Sequence, residues 1–178
     1  SHPGEPASRL IWIYGIAIGA FQGSTAILAL FLAARFGVTA NTISFFYTYI
    51  GILSVLARAV FLGPMVDRYG EAKLSRIGSS LLATGLVLLP FMYPASNHML
   101  TYAPLALVVA LIPMGTAFTF PCVTALLSKV VPSSERGLYM GVQQTFGGSS
   151  RVIFPIVYGW LFDRAIGAPF LLAGVLVA

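Results

Sequence analysis

The chain has 178 residues, is 58% hydrophobic and only 8% charged, and carries a formal net charge of +5. A soluble domain carries about 25% charged residues, so this composition, with a mean hydropathy of +0.90, excludes one. The basic residues are scattered at the ends of apolar runs rather than gathered on a phosphate-binding face, which excludes nucleic acid as a partner. The single Cys122 cannot form an intrachain disulfide, and His2 and His98 stand far apart, so neither a disulfide framework nor a metal-ligand cluster is expected. Apolar blocks of about twenty residues are what a helix needs to cross a hydrocarbon core of about 30 Å. The fold class is an all-α polytopic membrane protein.

Residues 1–8, SHPGEPAS, read as a polar lead-in, and their opening without Met reads as a linker or a cut end. The first span is expected over 10–34. Gly15, Gly19 and Gly23 recur at four-residue spacing and make one face small enough for close helix packing; Gln22 lies beside that face. Gly37 suits the position just past the helix end. Thr39 can cap a second span over 42–66, where a 100° wheel puts Tyr47, Gly51, Ser54 and Arg58 on one polar stripe.

A charged loop follows. Asp67, Arg68, Glu71, Lys73 and Arg76 hold two of the chain's five acids and three of its ten Lys and Arg residues. A third span covers 74–93, ended by Pro90 and Pro94. A connector, Ala95–Met99, leads to a fourth span over 102–130, where Pro113, Gly115 and Pro121 predict a bend or local unwinding. In the turn VPSSERG, Ser133 or Ser134 can cap a fifth span over 138–162, and Glu135 suits its positive N-terminal end. Gly137, Gly141, Gln144, Gly148, Arg151 and Pro155 share one face of it. The run from 168 to 178 makes about 16 Å of helix, too short to cross, so the sixth span is expected to be incomplete.

The positive-inside rule sets orientation. Arg9, Arg68, Lys73, Arg76, Lys129 and Arg136 fall on one side, and Arg35 and Arg164 on the other. The N-terminus and the charged loop are therefore expected in the cytoplasm.

The charged loop also carries a motif. Gly63, Met65, Asp67, Arg68 and Gly70 in GPMVDRYG match the loop signature G-x-L-x-D-R-x-G-R of the major facilitator superfamily, with Lys73 as a displaced base and Glu71 as a departure. From Gly115 to Phe170, Pro121, Glu135-Arg136-Gly137, Gly141, Arg151, Pro155, Gly159 and Asp163 resemble the tenth-to-eleventh-helix region of drug:proton antiporters of the tetracycline-resistance type, with Phe154 where a Gly is usual. Leu111 stands where the N-terminal half commonly has an Arg, and FPIVYG replaces the antiporter G-P-x-x-G-G. Both favour the C-terminal half, helices seven to twelve. The resemblance implies a six-helix half of a major-facilitator-type bundle in the bacterial inner membrane. The expected partners are lipid, a small organic substrate, protons, and a missing N-terminal half or partner membrane subunit. No cofactor is implied. The motif residues Gly63, Asp67, Arg68, Gly70 and Lys73 read as a conformational latch rather than a binding site.

A charge inside a span faces a partner or an aqueous cavity more often than lipid. Arg151, in the middle of the fifth span, is the cavity candidate; Arg58, nearer the cytoplasmic end, is a gate element or substrate contact whose bland reading is snorkelling or pairing with Asp67. Gln144, Gln22 and Tyr47 complete the cavity set, with interhelical hydrogen bonding as the structural alternative for them and for Gln143. No acid lies within a complete span, so counter-charge and any proton relay are expected from outside these helices. The leading expectation is a secondary active transporter working by alternating access. The alternative is a half-length, transporter-like subunit with a scaffold role in a larger membrane complex. No nucleophile–base pair, metal cluster or phosphate loop suggests an enzyme.

Overall fold

Lipid offers no hydrogen bonds to the backbone, so a chain this apolar must satisfy its peptide groups internally, and helices do so. The computed structural model describes residues 6–94 and 98–178, and regular structure among them is helical throughout. The helices are α1 (Pro6–Phe36), α2 (Ala40–Leu56), a π-helical segment (Ala57–Phe61), α3 (Leu62–Leu88) with a 3₁₀ turn (Leu89–Phe91), α4 (His98–Val130), α5 (Arg136–Arg164) and α6 (Ala168–Val177).

Local chemistry explains several boundaries. Gly37 takes a left-handed φ of +64° and its N–H donates to Ala33 O at 3.1 Å, a glycine-closed helix end. Thr39 opens α2, with its N–H donating to Thr42 Oγ1 at 3.0 Å. Pro6 begins α1, where a missing N–H costs nothing, so Pro6–Ser8 are helical rather than lead-in; residues 1–5 lie outside the described residues. The connector expected at 95–99 is shorter, because α4 starts at His98; residues 95–97 lie outside the described residues. Neither Ser133 nor Ser134 caps α5. Glu135 holds the cap position without a side-chain bond, and its N–H donates instead to Pro132 O at 3.0 Å.

The largest correction concerns the charged loop. Asn41–Phe91 is one helical run of 51 residues. A straight helix of that length would be about 77 Å, more than twice a hydrocarbon core. It is broken at Gly70, which has φ 73° and ψ 158°. That conformation is essentially reserved for glycine, so a single residue supplies the turn expected from a longer loop. The other difference is in α4, where Pro104, Pro113 and Pro121 leave helical assignment intact; local unwinding does not occur. Pro6–Phe36, Asn41–Phe91 and Thr101–Val130 are apolar and long enough to cross a membrane. The α5 helix has the length but is diluted by Gln143, Gln144, Ser149, Ser150 and Arg151.

Two seams organise the bundle. Along the first, α1 runs parallel to α5, with Gly19 facing the Phe154 ring and Gly23 the Tyr158 ring. Along the second, the part of α3 beyond Gly70 runs antiparallel to α4: Gly78 meets Thr119, and Gly85 meets Leu111 and Ile112. The α6 helix closes against α3 and α1, where Phe170 meets Phe31 edge-on with centroids 5.0 Å apart. Since lipid is as apolar as leucine, these seams are held by close van der Waals packing rather than by escape from water. In contrast, α2 packs on α4 and leaves most of its surface open.

Candidate functional site

The two consecutive glutamines of α5 differ by about 100° around the helix axis, and that rotation separates their roles. Gln143 is fully buried and accepts from Thr124 Oγ1 of α4 at 3.3 Å, while its Nε2 has no partner. It joins helices. Gln144 is exposed and donates to Tyr14 Oη of α1 across 3.5 Å, a long bond. Tyr14 is also what fills the space beside Gly147, where a Cβ would lie 2.7 Å from its ring.

Arg151 follows about two turns beyond Gln144 and is exposed, with no ion pair among the described residues. Gln22 on α1 is half-buried, at the level of Phe154 and Tyr158, and forms no hydrogen bond to a described residue. The α1/α5 seam thus places Gln144, Arg151 and Gln22 on successive levels without bringing them into contact.

Tyr47 approaches the same seam from α2. Its hydroxyl donates to Thr25 O of α1 at 3.3 Å, one turn from Gln22. Arg58 lies about 16 Å further along that helix, inside the π segment, where it is exposed and forms no ion pair among the described residues. A π segment carries one residue more than α geometry needs and recurs at functional positions. The pairing with Asp67 considered for Arg58 is not formed; Asp67 is exposed and makes no ion pair among the described residues.

In the motif region, Gly63 is helical, and a Cβ placed there would meet nothing within 4 Å. Arg68 and Lys73 both lie over the Tyr69 ring, at 5.5 and 5.1 Å, a cation–π arrangement. Glu71, the departure from the motif, pairs with Lys129 at the end of α4. The hydrogen bond from Lys129 holds its carboxyl below the ordinary glutamate range, helped by a backbone N–H. This contact ties the turn at Gly70 to the α3/α4 seam.

Sequence reasoning named Gln143 and both arginines but missed Tyr14, Thr124 and the Glu71–Lys129 pair. Only the last left a trace: Glu71 lies beside Arg68 and Lys73, which the positive-inside count expects on the same side as Lys129.

The family model described as Major Facilitator Superfamily matches residues 10–178. Among curated proteins, Multidrug resistance protein 1 of Bacillus subtilis (strain 168) is 30% identical over 172 residues, covering 97% of this chain and 41% of that protein. Multidrug resistance protein 2 of the same organism is 26% identical over 165 residues, covering 93% and 38%. Hippocampus abundant transcript-like protein 1 of Rattus norvegicus is 28% identical over 133 residues, covering 75% and 25%. The chain therefore spans about two-fifths of the length of the bacterial relatives. No solved structure is significantly matched.

Proposed function

This chain belongs to the Major Facilitator Superfamily, an integral membrane transport family rather than an enzyme family, and from that premise we propose that it forms one half of a secondary active transporter exporting small organic solutes by alternating access. The bacterial relatives are named for multidrug resistance, which supports the efflux direction. The observation that carries the reading is the pair of arginines in the interior of long helices, Arg58 on the π segment and Arg151 on α5, both exposed and without an ion pair among the described residues. An unpaired charge at that depth is costly against lipid and suits a water-filled path or an opposing helix.

In this reading the chain is the C-terminal half, close to the tetracycline-resistance type, in a bacterial inner membrane with its N-terminus cytoplasmic. Gln144, Arg151, Gln22, Tyr47 and Arg58 contribute one wall of the central cavity. The counter-charge and any proton-carrying acid come from the other half. Asp67, Arg68, Gly70 and Lys73 form the conformational latch, with Asp67 free to engage a helix N-terminus in another transport state.

The test is transport by the full-length protein in proteoliposomes. Arg151→Ala is expected to lower transport by about tenfold, the scale of 1.4 kcal/mol on a binding or barrier step, and Arg58→Ala by less. Normal transport in both would overturn the cavity assignment. Absence of transport in the unaltered protein, with stable co-purification of other membrane subunits, would favour the scaffold role instead. Asp67→Asn is expected to shift the ratio of inward to outward states, read by distance labels across the two faces; unchanged populations would remove the latch.

A further inference from the structure

A hydroxyl inside a crossing helix has no bulk water to turn to and needs a partner within the protein. The usual one is a carbonyl a turn earlier in its own helix. Thr25 donates to Phe21 O at 2.8 Å, Thr145 to Gly141 O at 3.0 Å and Ser149 to Thr145 O at 3.0 Å. Ser24, beside Thr25 on α1, does not. It is 3% exposed, and its Oγ has no hydrogen-bond partner among the described residues.

Ser24 borders an internal cavity of about 20 Å³ where α1 meets α2, α4 and α6. Thr25 lines it too. The remaining walls are apolar, among them Leu28, Ile112 and Phe170, all three buried. The size decides the occupant: one water needs about 10–15 Å³, and nothing much larger fits. Two hydroxyls, with no acid in the lining, do not suit a cation, whose burial without a counter-charge is costly. An apolar cavity stays dry, but an orphaned hydroxyl on the wall makes this one polar. Thr119 Oγ1 is also without a partner, yet it lies in the packed α3/α4 seam, where a Cβ on Gly78 would come within 2.6 Å of it.

We propose that the cavity binds one ordered water, which accepts from Ser24 Oγ and donates to Thr25 Oγ1. The Thr25 hydroxyl has already given its proton to Phe21 O, so its oxygen is left to accept. Two polar partners meet the lower end of what buried waters use. Thr25 also carries the carbonyl that accepts from Tyr47 Oη at 3.3 Å. The water therefore hydrates α1 at the level where α2 is bonded to it. The site does not rest on the transport reading.

The test uses the full-length protein in detergent, irradiated with X-rays in heavy-oxygen water. Radicals made from a bound water label the side chains around it, and peptide mass reads the label. Phe170 lines the cavity and is fully buried; Phe118 is as inaccessible, at 2% exposed, and does not line it. Phe170 should take up label several-fold faster than Phe118 in the unaltered protein, a measurement that needs no variant to fold. Ser24→Thr keeps the hydroxyl but adds a methyl group to the cavity, and should bring Phe170 down to the Phe118 rate. Ser24→Ala should lower the melting temperature by a few degrees, since it removes a made hydrogen bond; loss of an orphaned hydroxyl would raise it instead. Equal labelling of the two rings in the unaltered protein, labelling of Phe170 that persists in Ser24→Thr, or a higher melting temperature in Ser24→Ala would each overturn the proposal.

Discussion

Glycines on the two seams and glycines on the open side of the bundle meet opposite surroundings. At Gly115 a Cβ would lie 2.6 Å from Leu82 N and 2.7 Å from Gly78 O, both backbone atoms that cannot swing away. At Gly19 it would lie 2.5 Å from the Phe154 ring. On the open side, Gly51 of α2 and Gly141 and Gly159 of α5 have nothing within 4 Å. The contrast teaches that spacing alone does not say which small-residue stripe is in use. The seam stripe is already filled, whereas the open one shares its helices with Arg58 and Arg151 and remains available to an opposing surface.

Substitutions to alanine test this contrast. Gly115→Ala should cost the most, about 1–3 kcal/mol for a methyl forced into a packed contact, read as a lower melting temperature in detergent. Gly141→Ala should stay within about 0.5 kcal/mol in the same assay. Equal losses in the two would erase the distinction between seam and open side. If the open stripe meets another surface in the full-length protein, Gly141→Leu should lower transport while leaving the melting temperature of this segment unchanged.

The smallest effect belongs to the Glu71–Lys129 contact, which fastens one seam from outside. Because the Glu71 carboxyl is depressed, first by its bond from Lys129, the pair's contribution is complete above the ordinary glutamate range. It fades as pH falls through the depressed value. Lys129 is mostly exposed, with 61% of its side chain accessible, so solvent screening keeps the effect small. Lys129→Gln should flatten the acid limb of a melting-temperature profile; an unchanged limb would show the contact contributes nothing.

The fold class was legible because lipid imposes a simple rule on composition, and Gly37 and Thr39 were legible because capping is local chemistry. The motif stretch reads in sequence as a loop, whereas the structure keeps it helical up to a break at Gly70. Its polarity is visible in sequence, while the fact that Gly70 alone can turn the chain depends on how tightly α3 and α4 close. Ser133 and Ser134 were reasonable caps that lost to a backbone bond between Glu135 and Pro132. For the candidate site, the sequence named polar residues in apolar spans but could not sort them. Burial made Gln143 a helix tie, and exposure left Gln144 facing outward. Contacts such as Tyr14 with Gln144, 130 positions apart, exist only once the seams have formed.

The π segment at Ala57–Phe61 has a genetic consequence. Elsewhere in a crossing helix, loss of one codon turns everything beyond it by about 100° and presents the wrong faces to every neighbour. Here the backbone already holds a surplus residue, so deleting Ala59 would restore an ordinary helix while keeping both flanking stretches in register. Chain length, fixed position by position in the rest of α2 and α3, is therefore free to vary at this one place, one residue away from Arg58.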